Sequence, residues 1–385
     1  MAKKLRVGIL FGGRSGEHEV SLLSAASILK AIDRKKFEVV PIGINKAGHW
    51  LTSAAAQGLL EPPAPDLDGS GSVSAAGQSA IESLPAPSGS SGLPGNSNMS
   101  GQSCLDGQAL DVVFPVLHGT FGEDGTIQGL FELAGIAYVG SGVLGSAAGM
   151  DKDVMKRLFA HAKLPIVKHV TVMRADWEKQ PRKAVAQVEA ALRYPVFVKP
   201  ANLGSSVGIS KAHDRKELGP ALALAAKYDR KLVVEQGVGG KTGKAREFEV
   251  AVLGNDSPIA SVVGEIIPGK EFYDYEAKYL SEGSVPVIPA QLTKAESKQI
   301  RDMALHAFRA CDLSGLARVD FLMEPDGKRR IFLNEVNTMP GFTKISMYPK
   351  LWEATGLPYK DLITRLIELA LERQAEKSRT SYSRE

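Results

Sequence analysis

The first 44 residues of the chain have the pattern of a strand, a helix and a second strand. Residues 5–11 form a short apolar run, Gly12 and Gly13 interrupt it, and residues 20–32 carry apolar side chains at helical spacing before another apolar run at 37–44. Two strands joined through a helix pair in parallel. The opening therefore predicts a βαβ unit and, with it, an α/β fold built on a parallel sheet.

Composition and charge exclude several other classes of protein. The chain has 385 residues, of which 44% are hydrophobic and 23% charged, which predicts two or three globular domains rather than a disordered or fibrous protein. A net charge of +4 is too small to predict nucleic-acid binding. No apolar stretch reaches the ~18 residues of a membrane helix, and the first apolar run is too short for a secretory signal. Two cysteines make no disulfide framework, so we expect a protein of the reducing cytoplasm.

Residues 54–107 differ from the rest of the chain in composition. This segment is dense in Ser, Gly, Pro and Ala, with few charges and no aromatic residue. Such a composition cannot bury enough apolar surface to offset the entropy lost on ordering. We expect a flexible loop or a loosely packed insertion, with a regulatory element as the alternative.

The most informative local pattern is a hairpin in the last quarter of the chain. Two segments with strand patterns flank a Pro-Asp-Gly turn at 325–327. Pairing them about a centre just after this turn sets Asp320 opposite Glu335 and Arg318 opposite Asn337. The side chains of such pairs lie only ~5 Å apart.

Strand alternation extends this register into a prediction of faces. Leu322 should share a face with Asp320, and Ile331 and Leu333 should share a face with Glu335. A shift of one residue would reverse these faces and break the argument.

Two facing carboxylates repel each other unless a cation lies between them. Carboxylate and amide oxygens suit Mg²⁺, which usually also takes phosphate oxygens. Asp320 and Glu335, with Asn337 beside them, therefore predict a metal and nucleotide site. Arg318 is placed to hold a phosphoryl group or an oxyanion. The alternative is an exposed hairpin with solvated charges.

A loop rich in glycine and serine follows Lys199, which ends a strand pattern. Glycine lets the backbone approach a ligand closely, and backbone N–H groups and serine hydroxyls can cradle phosphate oxygens. The loop lacks the Gly-Lys-Ser/Thr ending of a Walker A motif, so a plain flexible turn is the alternative. Four other charged residues are isolated in the sequence and on their own predict surface positions: Lys152, Glu235, Glu247 and Lys278.

A second glycine motif indicates a different function. Residues 140–145 match G-x-G-x-x-G after a short strand pattern, which is the fingerprint of a dinucleotide-binding fold. The acidic residue expected ~20 positions further on is missing from the sequence. A dehydrogenase is therefore a disfavoured alternative, and we interpret the glycines as a hinge between domains.

Seven motifs follow one another along the chain. They are GGRSGEHEVS at 12–21, LHGTFGEDGTIQG at 117–129, YVGSGVLGSAAGMDK at 138–152, FVKPANLGSSVGIS at 197–210, FYDYEAKY at 272–279, ARVDF at 317–321 and NEVNTMPGFT at 334–343. In this order they resemble the D-alanine–D-alanine ligases, a family of ATP-grasp enzymes. The resemblance spans nearly the whole chain except 54–107 and the polar tail.

The resemblance implies that two D-alanines are ligated through a D-alanyl phosphate, with ATP cleaved to ADP and phosphate, for peptidoglycan precursor synthesis. An ATP-grasp ligase for another carboxylate and amine, such as one that makes D-alanyl-D-lactate, is the alternative. The intact YDYEAKY pattern at 273–279 favours the dipeptide. A non-catalytic binding protein is disfavoured because the motif residues are intact.

The resemblance also implies roles for individual residues. Those implied to be catalytic are Glu17, Ser205, Tyr279, Arg318 and Gly341. Those implied to contact D-alanine are His118, Ser346 and Met347. Those implied to contact ATP are Lys152, Lys199, Ser206, Glu235, Val238, Glu247, Phe272, Lys278 and Asn334. Two Mg²⁺ ions, with Mn²⁺ as a possible substitute, are implied at Asp320, Glu335 and Asn337.

The implied architecture is an ATP-grasp fold, in which two α+β lobes enclose ATP, preceded by a Rossmann-like N-terminal domain. The expected units are the N-terminal domain (1–142), a central lobe (143–242), a C-terminal lobe with the hairpin (243–372) and a polar tail (373–385). Residues 201–209 and 268–282 are expected to be lids. The family implies a homodimer, and we expect D-alanine and ATP as ligands, with no nucleic-acid or membrane partner.

Overall fold

The computed structural model describes residues 3–60, 109–239, 244–267, 285–325, 327, 329–343 and 345–383. Its strands form three sheets, one parallel and two antiparallel. Among the described helices, none is long and apolar enough to cross a lipid bilayer. Most of the predicted insertion, residues 61–107, lies outside the described part of the chain.

The N-terminal sheet is parallel throughout, which confirms the prediction from the βαβ opening. Its strands are β1 (Leu5–Gly12), β2 (Phe37–Ile44), β3 (Val112–Val116) and β4 (Ala137–Tyr138), in the spatial order β2-β1-β3-β4. Helices α1 (His18–Ala31), α2 (Ser53–Gly58) and α3 (Thr126–Ala134) accompany it. All but the first residue of β1 are buried, as expected for a central parallel strand with both faces covered.

Two helices, α4 (Val143–Met150) and α5 (Lys152–His161), lead from the N-terminal sheet to a four-stranded antiparallel sheet. That sheet contains β5 (His169–Met173), β6 (Val196–Pro200), β7 (Ser210–Ala212) and β8 (Lys231–Gln236), in the order β5-β8-β6-β7. Its helices are α6 (Arg174–Lys179), α7 (Pro181–Ala191) and α8 (Arg215–Ala225). An apolar cluster that includes Val198 and Leu222 joins α7 and α8 to the strands.

The third sheet has five antiparallel strands. They are β9 (Arg246–Gly254), β10 (Ile259–Ile267), β11 (Val285–Val287), β12 (Gly315–Met323) and β13 (Ile331–Asn337), in the order β11-β10-β9-β12-β13. The associated helices are α9 (Lys294–Ala310), α10 (Met347–Thr355) and α11 (Tyr359–Lys377). Thr293 and Glu296, whose spacing matches the Thr-x-x-Glu pattern of a capping box, form one at the start of α9.

The two faces of the five-stranded sheet differ. One face is apolar, and side chains such as Phe248 and Val319 pack there with Phe308 of α9. The other face is apolar at one end and polar at the other. At the apolar end, Leu253 and Leu316 belong to the core shared with the N-terminal sheet. At the polar end, the side chains line a cleft. The strand pairing therefore places a row of polar groups beside a rigid apolar core.

The hairpin pairs as predicted at its functional end. Arg318 lies opposite Asn337 and Asp320 lies opposite Glu335, but the register shifts by one residue after Asp320, so that Phe321 lies opposite Leu333. This irregularity falls at Asn334.

The shift makes one predicted face assignment wrong. Ile331 and Leu333 do not share the face of Glu335; they are buried in the apolar core on the opposite side. Asn334 and Glu335, although consecutive, both line the cleft. Strand alternation alone misses this because a bulge inserts one extra residue on one strand only.

The C-terminal helix α11 returns to the N-terminal sheet. Leu366 lies in the same core as Phe114, and the Arg373 guanidinium donates hydrogen bonds to the Tyr138 and Gly140 carbonyls. The helix thus extends beyond the expected start of the polar tail. It ties together the two ends of the chain.

The G-x-G-x-x-G segment has a packing role in this fold. A Cβ at Gly145 would collide with the Asp312 carbonyl, and a Cβ at Gly315 would lie 3.1 Å from the Gly140 nitrogen. The glycines therefore allow close backbone contact between the two regions, which accounts for them without a dinucleotide.

Candidate active site

A cleft between the four-stranded and the five-stranded sheet contains two adjoining cavities of about 460 and 170 Å³. Arg318, Glu335 and Glu249 line both. The larger one falls within the usual size of small-molecule sites, which is roughly 300–1,000 Å³. The cavities therefore form one site with two compartments, which share these three residues and two from the loop after β6, Ser206 and Ile209.

The predicted residues divide between the two cavities. The larger cavity is lined by Glu17, Lys152, Ser205, Gly341, Ser346, Met347 and Asn337. The smaller is lined by Lys199, Glu235, Val238, Glu247, Asp320 and Asn334, and Ser206 lines both. Three of the predicted residues, Phe272, Lys278 and Tyr279, lie outside the described part of the chain. With few exceptions, the residues implied to contact ATP thus line the smaller cavity and those implied to contact D-alanine the larger.

A buried charge cluster forms one wall of the smaller cavity. The Glu235 carboxylate forms an ion pair with the Lys199 ammonium at 2.8 Å and another with the Lys156 ammonium at 2.9 Å. Lys156 has no exposed side-chain surface and also donates to the Asn334 carbonyl at 3.1 Å. Lys156 thereby links α5, β8 and β13, which belong to both walls of the cleft.

Ion pairing decides the protonation state of this cluster. Burial alone would raise the pKa of Glu235, but the charges of Lys156 and Lys199 lower it to about 2. Burial opposes the charged form of Lys199, yet the Glu235 and Glu335 charges raise its pKa above the ordinary value. Lys199 therefore remains an ammonium that can meet an anionic ligand. The surface positions expected for Lys152 and Glu235 from their sequence isolation are wrong, because both are buried.

The row of polar groups on β12 starts with Arg318 and Asp320. The guanidinium donates to both Asp320 oxygens at 2.7 Å. The Arg318 Nε atom also lies 3.2 Å from the Glu249 carboxylate. A planar fork of this kind matches a carboxylate or a phosphate equally well, so the same group can serve an oxyanion.

Metal ligands are available beside this arginine. Asp320 and Glu335 are Cα partners across the β12–β13 ladder, and Asn337 follows two residues later on the same strand. Two carboxylates and one amide fit a hard divalent ion that completes its octahedron with phosphate oxygens and water. Within the described residues, no group of three or more His, Cys, Asp or Glu side chains could form a metal cage. The two carboxylates and one amide would leave coordination positions for phosphate oxygens and water.

Glu17 lies in a cradle made by two glycines. A Cβ at Gly119 or at Gly204 would come within 2.5 Å of the Glu17 Oε2 atom, so a side chain at either position would displace the carboxylate. The Ser205 hydroxyl donates a hydrogen bond to Glu17 Oε1. The carboxylate is thus held at the junction of the N-terminal domain loop and the glycine-serine loop after β6.

The loop after β6 has strained backbone. Ser205 and Ser206 have φ values of 49° and 61°, in the region that favours glycine. The Lys152 ammonium donates to the Leu203 carbonyl at 2.8 Å and anchors the loop. Strain of this kind is common where backbone clamps a ligand.

His118 lies behind the wall of the larger cavity, since it is buried and is not among the described lining residues. Its Nδ1 atom is 2.9 Å from the Met339 carbonyl, which can only accept. We therefore assign the proton to Nδ1, and Nε2 accepts from the Ser24 hydroxyl at 3.0 Å. Burial lowers the pKa of His118 and favours this neutral form.

A second buried acid, Glu123, lies near Glu17. Its carboxylate accepts hydrogen bonds from the backbone N–H groups of Gly119 at 2.8 Å and Met339 at 3.0 Å. Burial and the neighbouring Glu17 charge raise the pKa of Glu123 to about 8. Among the described residues, no lysine or arginine forms an ion pair with Glu17 or Glu123.

The far end of the larger cavity is closed by the turn before α10. A Cβ at Gly341 would lie 2.8 Å from the Ser346 hydroxyl, so a side chain there would displace that hydroxyl. The Ser346 hydroxyl accepts from the Thr343 N–H at 3.1 Å. Ser346 precedes α10 as its N-cap and Met347 begins it, which places a helix N-terminus beside the cavity.

Sequence reasoning missed four residues of this site. They are Ser24, Glu123, Lys156 and Glu249. Three of them had a usable signal: Lys156 follows Lys152 by one helical turn, Glu249 shares the strand face of Glu247, and Glu123 lies inside a quoted motif. Ser24 has no comparable signal, because only the fold brings it to His118.

Two family models match successive parts of the chain. Residues 6–141 match the family described as D-ala D-ala ligase N-terminus, and residues 158–368 match that described as D-ala D-ala ligase C-terminus. A D-alanine–D-alanine ligase from Natranaerobius thermophilus is 50% identical over 381 residues, covering 98% of each chain. One from Geobacillus thermodenitrificans is 48% identical over 380 residues, covering 99% of each.

Similar solved structures indicate the same family as the sequence relatives do. The D-alanine–D-alanine ligase from Coxiella burnetii superposes with a TM-score of 0.78 at 34% identity, covering 98% of this chain and 97% of that one. A D-Ala:D-Ser ligase from Enterococcus faecalis gives 0.77 at 34% identity, covering 96% and 100%. With matches over both halves and about half of all positions identical in full-length relatives, the chain belongs to the D-alanine–D-alanine ligase family.

Proposed function

We propose that this chain ligates two molecules of D-alanine to D-alanyl-D-alanine, a peptidoglycan precursor, and cleaves ATP to ADP and phosphate. The observation that carries the proposal is the division of the cleft. The smaller cavity is lined by the buried Lys199 ammonium, which suits a phosphate, and the larger one by the buried Glu17 and Glu123 carboxylates, which suit an ammonium group. An ATP-dependent ligase of amino acids must bind the nucleotide and the amino acids side by side.

The reaction proceeds in two steps. A carboxylate oxygen of the first D-alanine attacks the γ-phosphorus of ATP, the bond to ADP breaks, and D-alanyl phosphate forms. The amine of the second D-alanine, after losing a proton from its ammonium, attacks the acyl carbon. The tetrahedral intermediate then releases phosphate and leaves the peptide bond. Both steps concentrate negative charge, so catalysis depends on positioning and charge neutralisation.

We assign the smaller cavity to the nucleotide. Lys199, Lys152 and Lys278 would contact its phosphates, with Ser206 in the loop above them. Glu235, Val238, Glu247, Phe272 and Asn334 would surround the adenine and ribose. The buried Lys156–Glu235–Lys199 cluster supports this assignment, because it keeps Lys199 charged although the side chain is buried.

Asp320, Glu335 and Asn337 would hold two Mg²⁺ ions, or Mn²⁺ in their place. When bound, these ions neutralise the phosphate oxygens on which charge develops. The donor types and their arrangement across β12 and β13 support this assignment.

We assign the larger cavity to the two alanines. Glu17 would hold the first ammonium, and Glu17, Ser205 and Tyr279 would form a hydrogen-bonded trio that closes the site. His118 would lie near the first D-alanine. Arg318 and the Gly341 N–H would stabilise the oxyanion, and Ser346 and Met347 would bind the second carboxylate. The Glu17–Ser205 hydrogen bond and the helix N-terminus at Ser346 support these roles.

We further propose the domain bounds 1–142, 143–242 and 243–372, with a Rossmann-like first domain and ATP between the two ATP-grasp lobes. The three separate sheets support this division. Residues 201–209 and 268–282 would close as lids, since acyl phosphates hydrolyse readily. A cytoplasmic homodimer is the proposed working form, in keeping with the family and with the use of ATP.

Phosphate release tests the function directly. We expect the chain to release phosphate from ATP with D-alanine as the sole amino acid, and mass spectrometry to identify D-alanyl-D-alanine. L-alanine alone should give no release. With D-lactate or D-serine added, the dipeptide of D-alanine should remain the main product. Release that is independent of D-alanine, or a different main product, would contradict the proposal.

A further inference from the structure

Glu249 lies on β9 in the centre of the cleft wall, and the sequence motifs assign it no role. Its partner on β12 is Asp320, and the partner of Asp320 on β13 is Glu335. Side chains of directly paired residues in neighbouring strands lie on the same face. The three carboxylates therefore form one row across three strands, and Glu249 lines both cavities.

Arg318 is held between two members of this row. Its guanidinium forms a two-pronged pair with Asp320 at 2.7 Å, and its Nε atom lies 3.2 Å from Glu249. Glu249 is 7% exposed. A carboxylate at this depth interacts with a neighbouring guanidinium more strongly than a surface carboxylate does, because water screens the pair less.

The pair with Asp320 competes with a metal. The Arg318 fork occupies one accepting site on each Asp320 oxygen and places a positive charge beside it. A divalent cation that takes Asp320 as a ligand would repel that guanidinium. Arg318 would then need another anionic partner to stay in the cleft, and Glu249 is the acid already in contact with it.

We propose that Glu249 is a positioning residue that keeps the Arg318 guanidinium in the cleft when Asp320 serves the metal. Arg318 then remains directed at the oxygen on which negative charge develops. This inference rests on the proposed function, because it requires Asp320 to bind a metal and Arg318 to meet an oxyanion. Glu249 itself contacts neither the substrate nor the metal.

The first test compares Glu249→Gln with Glu265→Gln. Glu265 is a matched control, since it is a buried acid on the same sheet that pairs with Arg246 outside the cleft. We expect Glu249→Gln to lower kcat by ~10- to 100-fold with little change in the KM for ATP, and Glu265→Gln to leave kcat within about threefold of the original. Glu249→Asp keeps the charge and should fall between Glu249→Gln and the original chain. Equal kcat in Glu249→Gln and the original chain would overturn the proposal.

The second test does not depend on turnover. Electron paramagnetic resonance of Mn²⁺ in the presence of ADP should give the same metal affinity for Glu249→Gln as for the original chain, whereas Asp320→Asn should bind Mn²⁺ more weakly. Weakened binding in Glu249→Gln would make Glu249 a metal ligand and overturn the proposal.

Chemical rescue tests the link between the two residues. Guanidinium ion should restore part of the turnover of Arg318→Ala, and it should restore none when Glu249→Gln is added. Equal rescue in both backgrounds would overturn the positioning role. An original chain that releases no phosphate with D-alanine would instead refute the proposed function, so the two failures are distinguishable.

Discussion

Buried carboxylates at the two ends of the cleft have different partners. At the nucleotide end, Glu235 lies between Lys156 and Lys199, and its pKa falls to about 2. At the alanine end, Glu123 lies near Glu17, and burial with that second acid raises its pKa to about 8. One end supplies its own cations, while the other contains acids that a ligand's ammonium group would neutralise. Under the proposed function, this difference would let one cleft take a polyanion on one side and an amino acid on the other.

The largest expected effect concerns Glu335, which lines both cavities where the two ends of the cleft meet. Glu335→Gln should lower turnover by at least ~10³-fold, because the variant loses an anionic ligand of the metal that neutralises phosphate charge. The assay is phosphate release at saturating Mg²⁺. Glu324→Gln, on the same hairpin in a surface pair with Arg330, is the control. Near-normal activity of Glu335→Gln would contradict the role of Glu335 as a metal ligand.

The nucleotide end is tested by Lys156→Met. Removing one partner of a buried ion pair leaves an undercompensated charge, so we expect a loss of ~3 kcal/mol in the free energy of unfolding. Arg157→Met, the next residue on α5, removes only an exposed guanidinium from Asp153, a buried acid that keeps Thr171 and Lys231 as partners, and should cost less than ~1 kcal/mol. Urea denaturation followed by circular dichroism measures both. Equal losses in the two variants would show that the buried cluster contributes no more to the free energy of unfolding than the pair at the surface of α5.

The alanine end is tested by Glu17→Gln. Loss of this charge should raise the KM for D-alanine by ~30-fold, about 2 kcal/mol, and leave the KM for ATP nearly unchanged. Glu19→Gln serves as the control, since Glu19 pairs with Lys46 at the surface of the same helix. A rise in the KM for ATP alone would reverse the assignment of the two cavities.

The last expected effect is a pH dependence of stability. The pKa of Glu123 lies above its ordinary value of 4.5, so between these values the folded state binds more protons than the unfolded state. The free energy of unfolding should therefore fall as the pH rises from about 5 to about 8.5, and Glu123→Gln should lose this part of the slope. Denaturation at several pH values measures it, with the exposed Glu178→Gln as control. A slope unchanged in Glu123→Gln would show that Glu123 is ionised throughout.

The sequence predicts the parts of the fold that depend on local patterns. The parallel N-terminal sheet follows from the spacing of its first two strands, and the capping box at Thr293 follows from a four-residue motif. The pairing of Asp320 with Glu335 follows from the turn between their strands. Each of these depends on residues that are neighbours in sequence or lie in elements joined by a short turn or a single helix.

What the sequence could not provide depends on tertiary contacts. Alternation places Leu333 with Glu335, but the irregularity at Asn334 moves it into the core. An isolated glutamate predicts a surface position, whereas Glu235 is buried because lysines from two other elements reach it. The bulge has no signal in the alternation of apolar and polar residues, and the cluster arises only when distant segments pack together.

A crystal structure with ADP, Mg²⁺ and D-alanine would test the two-ended cleft most directly. We expect metal density bounded by Asp320 and Glu335 in contact with the nucleotide phosphates, and the D-alanine ammonium within hydrogen-bonding distance of the Glu17 carboxylate. Density for ADP away from Lys199, a vacant space between the two hairpin acids, or an alanine carboxylate turned toward Glu17 would contradict the account.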